Sequence, residues 1–316
     1  RLAMFCNMDD EDIISNPDLD SVYDVAIKFD EQKFADKILK RFRLKPKKND
    51  LNDWQGLAER VKTVHQELPI AVVGKYFATG DYVLSDVYVS VIESLKHAGW
   101  YNGVKPKLIW VDSEKIEQDG PAKYLKGVAG LVVPGGFGSR GIEGIITAIQ
   151  YARENKMPYF GLCYGMQLAT IEVARNLAGL SNANSTEINP KTKHPVIHIM
   201  PEQEKKLLKR DYGATMRLGA WDCRLVKGSK AYVSYGKPDI SERHRHRYEF
   251  NNAYRAKLEK VGLTIAGTSP DGKLVEIVEL KDHPWFVGVQ FHPEFQSRPL
   301  RPHPLFRDFI KACLPK

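Results

Sequence analysis

The spacing of apolar residues indicates alternating strands and helices from about residue 68 onward. Short runs of consecutive apolar residues are separated by longer segments with helical periodicity. A continuous apolar run is typical of a strand buried on both faces of a parallel sheet, and its alternation with helices predicts an open sheet with helices on both sides. We predict strands at 69–76, 107–112, 128–136 and 158–163, and helices at 85–99 (capped by Ser85 and closed by Gly99), 141–156 and 164–179.

Beyond residue 195 the pattern changes to short strands at close spacing. Such spacing is typical of hairpins. We therefore predict an antiparallel extension of the sheet followed by a closing helix at 308–314; the strands of the extension are 196–200, 216–226, 263–269, 273–280 and 286–292. The predicted fold class is α/β: an open, mostly parallel, flavodoxin-like sheet flanked by helices, with an antiparallel extension.

Residues 1–66 differ from the rest of the chain. A short predicted strand at 2–8 is followed by an acidic stretch, a second apolar run, a basic amphipathic helix at 37–48 and a helix at 54–66. This segment has too little apolar surface for a core of its own. We therefore expect residues 1–66 to be the tail of a neighbouring domain plus a linker, and residues 67–316 to form the main domain. The absence of an initiator Met favours an excised piece of a longer protein.

Composition restricts the possible function classes. Lys and Arg outnumber Asp and Glu by 47 to 39, a net charge of +8, with basic runs at 37–48 and 205–210. No nucleic-acid-reading motif accompanies this charge, so we expect no nucleic-acid binding. No apolar stretch approaches the roughly eighteen residues of a membrane helix. The four cysteines are widely spaced, which predicts neither a disulfide framework nor a metal site and suits a reducing cytosol.

The most informative segment surrounds Cys163. Gly161 and Gly165 stand two residues either side of it, between a predicted buried strand and a helix. This is the cysteine form of a nucleophile elbow, in which side chains at the glycine positions would collide with the strand and helix. The turn would place the thiol at a helix N-terminus, where the helix dipole favours a thiolate. The alternative is an inert buried cysteine, which suffices for Cys6, Cys223 and Cys313 but leaves the paired glycines unexplained.

A nucleophilic cysteine needs a base, and the segment 285–294 supplies a candidate. His292 and Glu294 follow a predicted strand, and in an extended chain residues i and i+2 share a face. A carboxylate beside an imidazole fixes its tautomer and stabilises the imidazolium. A histidine that caps a helix beside a surface glutamate would give the same sequence motif. The interpretation of His292 and Glu294 as a catalytic pair therefore depends on the nucleophile elbow at Cys163.

A glycine-rich loop at 133–138 follows the third predicted strand, at the edge where open α/β sheets bind ligands. Its N–H groups, with that of Tyr164, could stabilise an oxyanion. The same loop matches a dinucleotide fingerprint, but the next strand ends in Cys163 rather than in an acid. A near-match to a phosphate loop at 267–273 is interpreted as a hairpin.

These motifs, in this order, resemble those of the triad (class I) glutamine amidotransferases over about residues 68–316. Within that family the chain is similar to the CTP synthase branch. The similarity rests on GKY at 74–76, VPGGFGSRG at 133–141, NANSTE at 182–187, TMRLG at 215–219, ERHRHRYEFNN at 242–252 and VGVQFHPEFQSRP at 287–299.

The resemblance implies a role for each matching residue. Cys163 would attack the side-chain amide of glutamine, with His292 moving the proton and Glu294 orienting it. The implied substrate-binding residues are Gly136, Tyr164, Gly165, Met166, Gln167, Glu187 and Arg247, of which Gly136 and Tyr164 also bind the oxyanion. Glu187 would bind the α-amino group of glutamine and Arg247 its α-carboxylate. Without the resemblance, residues 244–247 are equally consistent with a metal-binding or nucleic-acid-binding patch. Residues 215–219 would belong to a lid near a GTP-responsive interface.

The resemblance also implies partners that this chain lacks. A synthase (amidoligase) domain would bind ATP, Mg²⁺ and UTP, GTP would act as an allosteric activator, and the whole cytoplasmic enzyme would be a homotetramer of pyrimidine biosynthesis. No cofactor or metal is expected in the chain itself. Two alternatives remain open: another triad cysteine hydrolase, such as a peptidase or γ-glutamyl hydrolase, and a non-catalytic regulatory or binding module.

Overall fold

A computed structural model describes residues 1–46, 50–75, 78–79, 82–83, 88–199 and 216–315. It contains two compact units, Arg1–Gln66 and Glu67–Lys316. The predicted helix cap at Ser85, the basic run at 205–210 and Thr215 lie outside the described residues.

The first unit is helical, so the strand predicted at 2–8 is wrong. That segment forms α1 (Leu2–Cys6), which ends where Asn7 adopts a left-handed conformation at φ 49°. A short apolar run without strict alternation fits a helix as well as a strand, and here the helix forms. The remaining helices of this unit are α2 (Val25–Glu31), α3 (Phe34–Arg41) and α4 (Asn52–Thr63), with 3₁₀ turns at Asp10–Asp12 and Val22–Asp24.

The second unit contains all the strands among the described residues. They are β1 (Glu67–Gly74), β2 (Ala78–Thr79), β3 (Tyr82–Val83), β4 (Lys105–Asp112), β5 (Gly130–Val133), β6 (Tyr159–Leu162), β7 (Ala183–Ser185), β8 (His194–Ile199), β9 (Arg217–Leu225), β10 (Asp239–His246), β11 (Tyr248–Phe250), β12 (Leu263–Thr268), β13 (Val275–Leu280) and β14 (Phe286–Val289).

The helices of this unit lie between and around those strands. They are α5 (Val89–Tyr101), α6 (Ser113–Asp119), α7 (Ala122–Leu125), α8 (Ile142–Glu154), α9 (Tyr164–Asn176), α10 (Lys230–Tyr235), α11 (Arg255–Lys260) and α12 (Pro304–Cys313), with 3₁₀ turns at Asn252–Tyr254 and Pro293–Phe295. Helix α5 runs past Gly99, so the prediction that Gly99 closes it is wrong. A Cβ there would lie 2.2 Å from the Pro106 ring, which indicates that this glycine permits close packing.

In the part of the chain that is described, nine strands form one sheet in the order β10-β9-β12-β13-β14-β6-β5-β1-β4. Strands β4, β1, β5, β6 and β14 are mutually parallel, and β13, β12, β9 and β10 continue the sheet antiparallel. The α/β class with a mostly parallel sheet and an antiparallel extension is therefore confirmed. The turn at 267–273 joins the antiparallel strands β12 and β13, as expected of a hairpin.

Two of the five strands predicted for the extension lie elsewhere. Strand β14 pairs parallel with β6 and so completes the parallel part of the sheet. Strand β8 belongs to a separate three-stranded sheet with β7 and β11. Periodicity identifies a strand but not its neighbours, which explains both errors.

Strand β1 is buried on both faces. Ala71 and Val73 belong to one apolar cluster, whereas Ile70 and Val72 belong to another. This arrangement is the physical reason for the continuous apolar runs in the sequence. Strands β5, β6 and β14 are neighbours and parallel, so their carboxyl ends meet at one edge of the sheet.

Candidate active site

Cys163 lies at the turn between β6 and α9. Its φ and ψ are 51° and −97°, a strained conformation for a residue with a side chain. Its backbone N–H donates to the carbonyl of Val289 on β14 at 2.6 Å. The thiol is thereby held at the N-terminus of α9 and above the carboxyl edge of the sheet, although Cys163 is only 5% exposed.

The two glycines around Cys163 are required by close contacts. A Cβ on Gly161 would lie 2.7 Å from the carbonyl carbon of Gly165, and a Cβ on Gly165 would lie 2.4 Å from the carbonyl oxygen of Val133. Both distances are shorter than a Cβ tolerates. The helix therefore packs directly onto β5 and β6, which is the geometry that the sequence pattern predicted.

His292 and Glu294 follow β14 and form a hydrogen-bonded pair. Nδ1 of His292 lies 2.7 Å from Oε1 of Glu294. The prediction that they share one face of an extended strand is wrong in its detail, because the strand ends at Val289 and Pro293–Phe295 is a 3₁₀ turn. Proline fits the first position of that turn, since its N–H is not needed there.

The electrostatics of His292 suit a proton carrier. Burial by itself lowers the pKa of His292, but the neighbouring charges of Cys163 and Glu294 outweigh burial and raise that pKa to about 11. Its Nε2 is buried and has no hydrogen-bond partner of normal geometry among the described residues. The imidazole therefore keeps one nitrogen on the carboxylate and leaves the other for a proton exchanged with a reacting group.

The glycine-rich loop after β5 lies against both catalytic candidates. A Cβ on Gly135 would lie 2.7 Å from Cε1 of His292, so only glycine allows the imidazole its position. Lys75 anchors the loop, since its Nζ donates to the carbonyls of Phe137 at 3.2 Å and Gly138 at 2.7 Å. The Tyr164 hydroxyl donates to the Gly138 carbonyl at 2.5 Å.

Glu187 lies at the other end of this loop. Its Oε1 accepts a hydrogen bond from the Gly138 N–H at 3.1 Å. Burial raises the pKa of Glu187, while this N–H, Lys75 and Arg247 favour the ionised form. Burial lowers the pKa of Lys75 to about 8.

A pocket of about 600 Å³ joins most of these groups. Of the ten residues given a catalytic or substrate-binding role from the sequence, seven line it: Gly136, Cys163, Gln167, Glu187, Arg247, His292 and Glu294. Tyr164, Gly165 and Met166 do not line it. Met166 is fully buried and packs against Gly288, so its side chain belongs to the core.

Residues 244–247 belong mainly to β10, whose alternate side chains are buried. His244 and His246 are buried, and Nδ1 of His244 lies 2.9 Å from Nε2 of His246. Arg243 and Arg245, on the other face of the strand, are exposed. Burial, followed by the charge of Arg217, lowers the pKa of His244 to about 2 and of His246 to about 3. No group of three or more metal-binding side chains occurs among the described residues.

The other cysteines differ from Cys163 in their surroundings. All four are free; Cys223 and Cys313 are buried, and burial raises the pKa of both thiols. Cys6 is exposed, so the interpretation of Cys6 as a buried core residue is wrong. None of the described helices is long and apolar enough to cross a bilayer.

Sequence reasoning gave no role to two buried polar residues that contact this site. Lys75 and Gln290 lie inside segments that resemble the family, but neither had been given a role. Both are buried and polar, and both adjoin apolar strands, β1 and β14. A polar side chain in such a place needs a buried hydrogen-bond partner, and that is a signal the sequence does contain.

Comparison with known proteins gives consistent matches. The family model for class I glutamine amidotransferases matches residues 83–312. The CTP synthases of Caldanaerobacter subterraneus and Carboxydothermus hydrogenoformans are 53% and 52% identical to this chain over 314 residues. The alignments cover 99% of this chain and 57% of each relative, so the chain spans little more than half the length of these proteins.

A solved structure of the glutaminase domain of Trypanosoma brucei CTPS with bound acivicin is also similar. It has a TM-score of 0.72 and 40% identity, and the match covers 78% of this chain and 93% of that one.

Proposed function

Because this chain belongs to the class I glutamine amidotransferases, and within them to the glutaminase domains of CTP synthases, we propose that Cys163, His292 and Glu294 hydrolyse L-glutamine to glutamate and ammonia. The observation that carries this proposal is the meeting of two distant chain segments in one pocket, the turn at Cys163 and the turn at residues 292–294. A strained cysteine at a helix N-terminus lies beside an imidazole whose second nitrogen is bonded to a carboxylate at 2.7 Å.

The first half of the reaction forms a thioester. Because its pKa is raised, His292 holds the proton of the Cys163 thiol on Nε2 as an imidazolium beside the thiolate. The sulfur attacks the side-chain carbonyl of glutamine, the carbon–nitrogen bond breaks, and His292 gives that proton to the departing ammonia. Glu294 holds the imidazole in the tautomer with a free Nε2 and stabilises its cation. In the second half, water attacks the γ-glutamyl thioester with His292 as base, which releases glutamate and restores the thiol.

Backbone N–H groups would stabilise the tetrahedral oxyanion. Gly136 lines the pocket beside Cys163, and Tyr164 is the first residue of α9, where N–H groups point away from the helix. Preorganised donors of this kind contribute roughly 10²–10³ in rate in enzymes where one has been removed. Lys75 and the Tyr164 hydroxyl keep the loop that carries Gly136 in place.

Two charged residues in the pocket suit the amino-acid end of glutamine. Glu187 and Arg247 both line it, and they have opposite charges. A carboxylate complements the α-amino group, and a guanidinium complements the α-carboxylate with two parallel hydrogen bonds. We assign these roles to Glu187 and Arg247, which would select substrates with free α-amino and α-carboxylate groups over a glutamine within a protein chain.

The complete protein would use the released ammonia to aminate UTP. We propose that an amidoligase domain outside this chain binds ATP, Mg²⁺ and UTP, that GTP activates the glutaminase, and that the whole enzyme is a cytoplasmic homotetramer. The first unit supports a further partner domain, because Leu2, Met4, Phe5, Phe42 and Leu44 are all exposed. They lie in two short segments, residues 2–5 and 42–44, and exposed apolar side chains that recur in this way are typical of a surface that another domain covers.

Glutamate release from L-glutamine tests the hydrolase activity. Cys163→Ser should abolish it, whereas the matched control Cys6→Ser, at an exposed cysteine, should retain it. Undiminished activity in Cys163→Ser would contradict the proposal. Faster turnover of a γ-glutamyl peptide than of glutamine would favour a different triad hydrolase.

A further inference from the structure

Gln290 is a fully buried amide that reaches the sulfur of Cys163. It directly follows β14, and its backbone N–H continues the pairing with β13 by donating to the Glu276 carbonyl at 2.8 Å. Its Nε2 lies 3.7 Å from Sγ of Cys163, within hydrogen-bond range for sulfur. The backbone of Gln290 is thus fixed, and its side chain is directed at the reacting atom.

The orientation of this amide is determined by its neighbours. Nε2 of Gln167 donates to the carbonyl of Tyr248 at 3.0 Å and to Oε1 of Gln290 at 3.2 Å. A backbone carbonyl only accepts, so Gln167 must present its NH₂ group to Tyr248 and also to Gln290. Gln290 then accepts through its oxygen and must direct its own NH₂ group at the sulfur.

We infer that Gln290 is a catalytic residue that donates a hydrogen bond to the Cys163 thiolate, and that Gln167 is the positioning residue that aligns it. This inference rests on the proposed role of Cys163 as nucleophile. A neutral N–H donor bonds more strongly to an anionic acceptor than to a neutral one, so the contact favours the thiolate over the thiol. It also holds the sulfur in one rotamer, ready for attack on the substrate carbonyl.

The two amides form a short chain that ends on the nucleophile. Hydrogen bonds in such chains polarise one another, and the burial of Gln167, Gln290 and Cys163 strengthens each bond. The other charged or titratable groups lining the same pocket are His292, Glu294, Glu187, Arg245, His246, Arg247, Tyr88 and Tyr248. A change confined to Gln290 leaves all of them in place, so its effect can be measured separately.

The rate of alkylation of Cys163 by iodoacetamide, measured from pH 5 to pH 10 with peptide mapping, tests the inference. Gln290→Met removes the donor and keeps a side chain of similar length. Losing a charge-assisted hydrogen bond should slow alkylation at pH 7 about tenfold and move the midpoint of the pH profile up by about one unit. The kcat for glutamine should fall by a similar factor with KM nearly unchanged, since the contact is with the nucleophile.

A second variant and a control separate this role from packing. Gln290→Glu keeps the shape and the acceptor for Gln167 but places a carboxylate beside the sulfur, so its alkylation midpoint should lie above that of Gln290→Met. Gln150→Met, the same substitution on α8, should match the parent protein. If one of the two Gln290 variants does not unfold cooperatively, it is not used, and the alkylation profile of the other variant tests the role of Gln290.

The outcomes separate a failure of the proposed hydrolase function from a failure of the role assigned to Gln290. A parent protein without Cys163-dependent glutamine hydrolysis would refute the proposed function. An active parent, together with Gln290 variants whose alkylation profiles coincide with that of the parent, would refute only the role of Gln290.

Discussion

Replacing Glu294 with glutamine separates the charge of the triad carboxylate from its shape. Two unit charges 2.7 Å apart, the distance between His292 Nδ1 and Glu294 Oε1, attract by about 6 kcal/mol at an effective dielectric constant of about 20. Both charges are delocalised, and the amide keeps a hydrogen bond, so we expect roughly half of this to be lost. About 3 kcal/mol corresponds to a fall of about a hundredfold in kcat.

A larger loss would also have a clear physical cause. The amide introduced by Glu294→Gln can donate to Nδ1 and so favour the tautomer that places hydrogen on Nε2, where the thiol proton must go; in a serine triad the equivalent change lowers kcat about 10⁴-fold. We therefore expect a decrease between about 10² and 10⁴. The pKa of His292, raised to about 11 in part by Glu294, should fall in the same variant.

The assay is steady-state glutamate release, with a ¹⁵N titration of His292 for the pKa. Glu259→Gln removes an exposed carboxylate paired with Arg255 on α11 and serves as the control. A Glu294→Gln enzyme whose kcat stays within about threefold of the parent value would refute the electrostatic role of the carboxylate, since that factor is well under 1 kcal/mol.

Three further predictions address the elbow, the substrate end and the buried histidines. Gly165→Ala should destabilise the protein by about 1–3 kcal/mol and lower its melting temperature, because the added Cβ would lie 2.4 Å from the Val133 carbonyl oxygen. The control Gly136→Ala adds only an ordinary contact of 3.6 Å and should leave the melting temperature unchanged. Equal melting temperatures for the two variants would contradict this prediction. Arg247→Met should raise KM for glutamine roughly ten- to hundredfold and change kcat less; an unchanged KM would rule out the carboxylate contact. Burial lowers the pKa of His246 to about 3, so between about pH 6.5 and pH 3 the unfolded chain binds a proton that the folded chain does not, and the free energy of unfolding falls as the pH falls. When the free energy of unfolding is measured in urea across this pH window, its dependence on pH should be weaker in His246→Asn by about 1.4 kcal/mol per pH unit. Parallel plots of unfolding free energy against pH for the parent and the variant would contradict this prediction.

Much of the parallel sheet could be predicted because burial on both faces leaves a direct pattern in the sequence. Strands β1, β5 and β6 appear as uninterrupted apolar runs, and each is buried where the pattern placed it. The neighbours of β14 and β8 could not be predicted, because strand order depends on contacts between distant segments. The first unit was misjudged at Leu2–Cys6, where a run too short to show a period forms a helix.

The core of the candidate site could be predicted because backbone geometry restricts its residues. The glycines around Cys163 are required by contacts of 2.4 Å and 2.7 Å, so the sequence itself indicated the elbow. The pairing of His292 with Glu294 was expected for an extended chain but is achieved by a 3₁₀ turn. Lys75 and Gln290 were missed because their importance lies in tertiary hydrogen bonds to the loop and the thiol, which leave no local spacing to detect.

The most direct measurement of the central claim is covalent labelling with a glutamine-mimicking chloroketone, followed by peptide mass spectrometry. We predict one label per chain, located on Cys163, slowed by L-glutamine and absent in Cys163→Ser. Labelling spread over Cys6 and the buried cysteines, or labelling of Cys163 that L-glutamine does not slow, would contradict the claim that this thiol is the nucleophile of a glutamine-binding pocket.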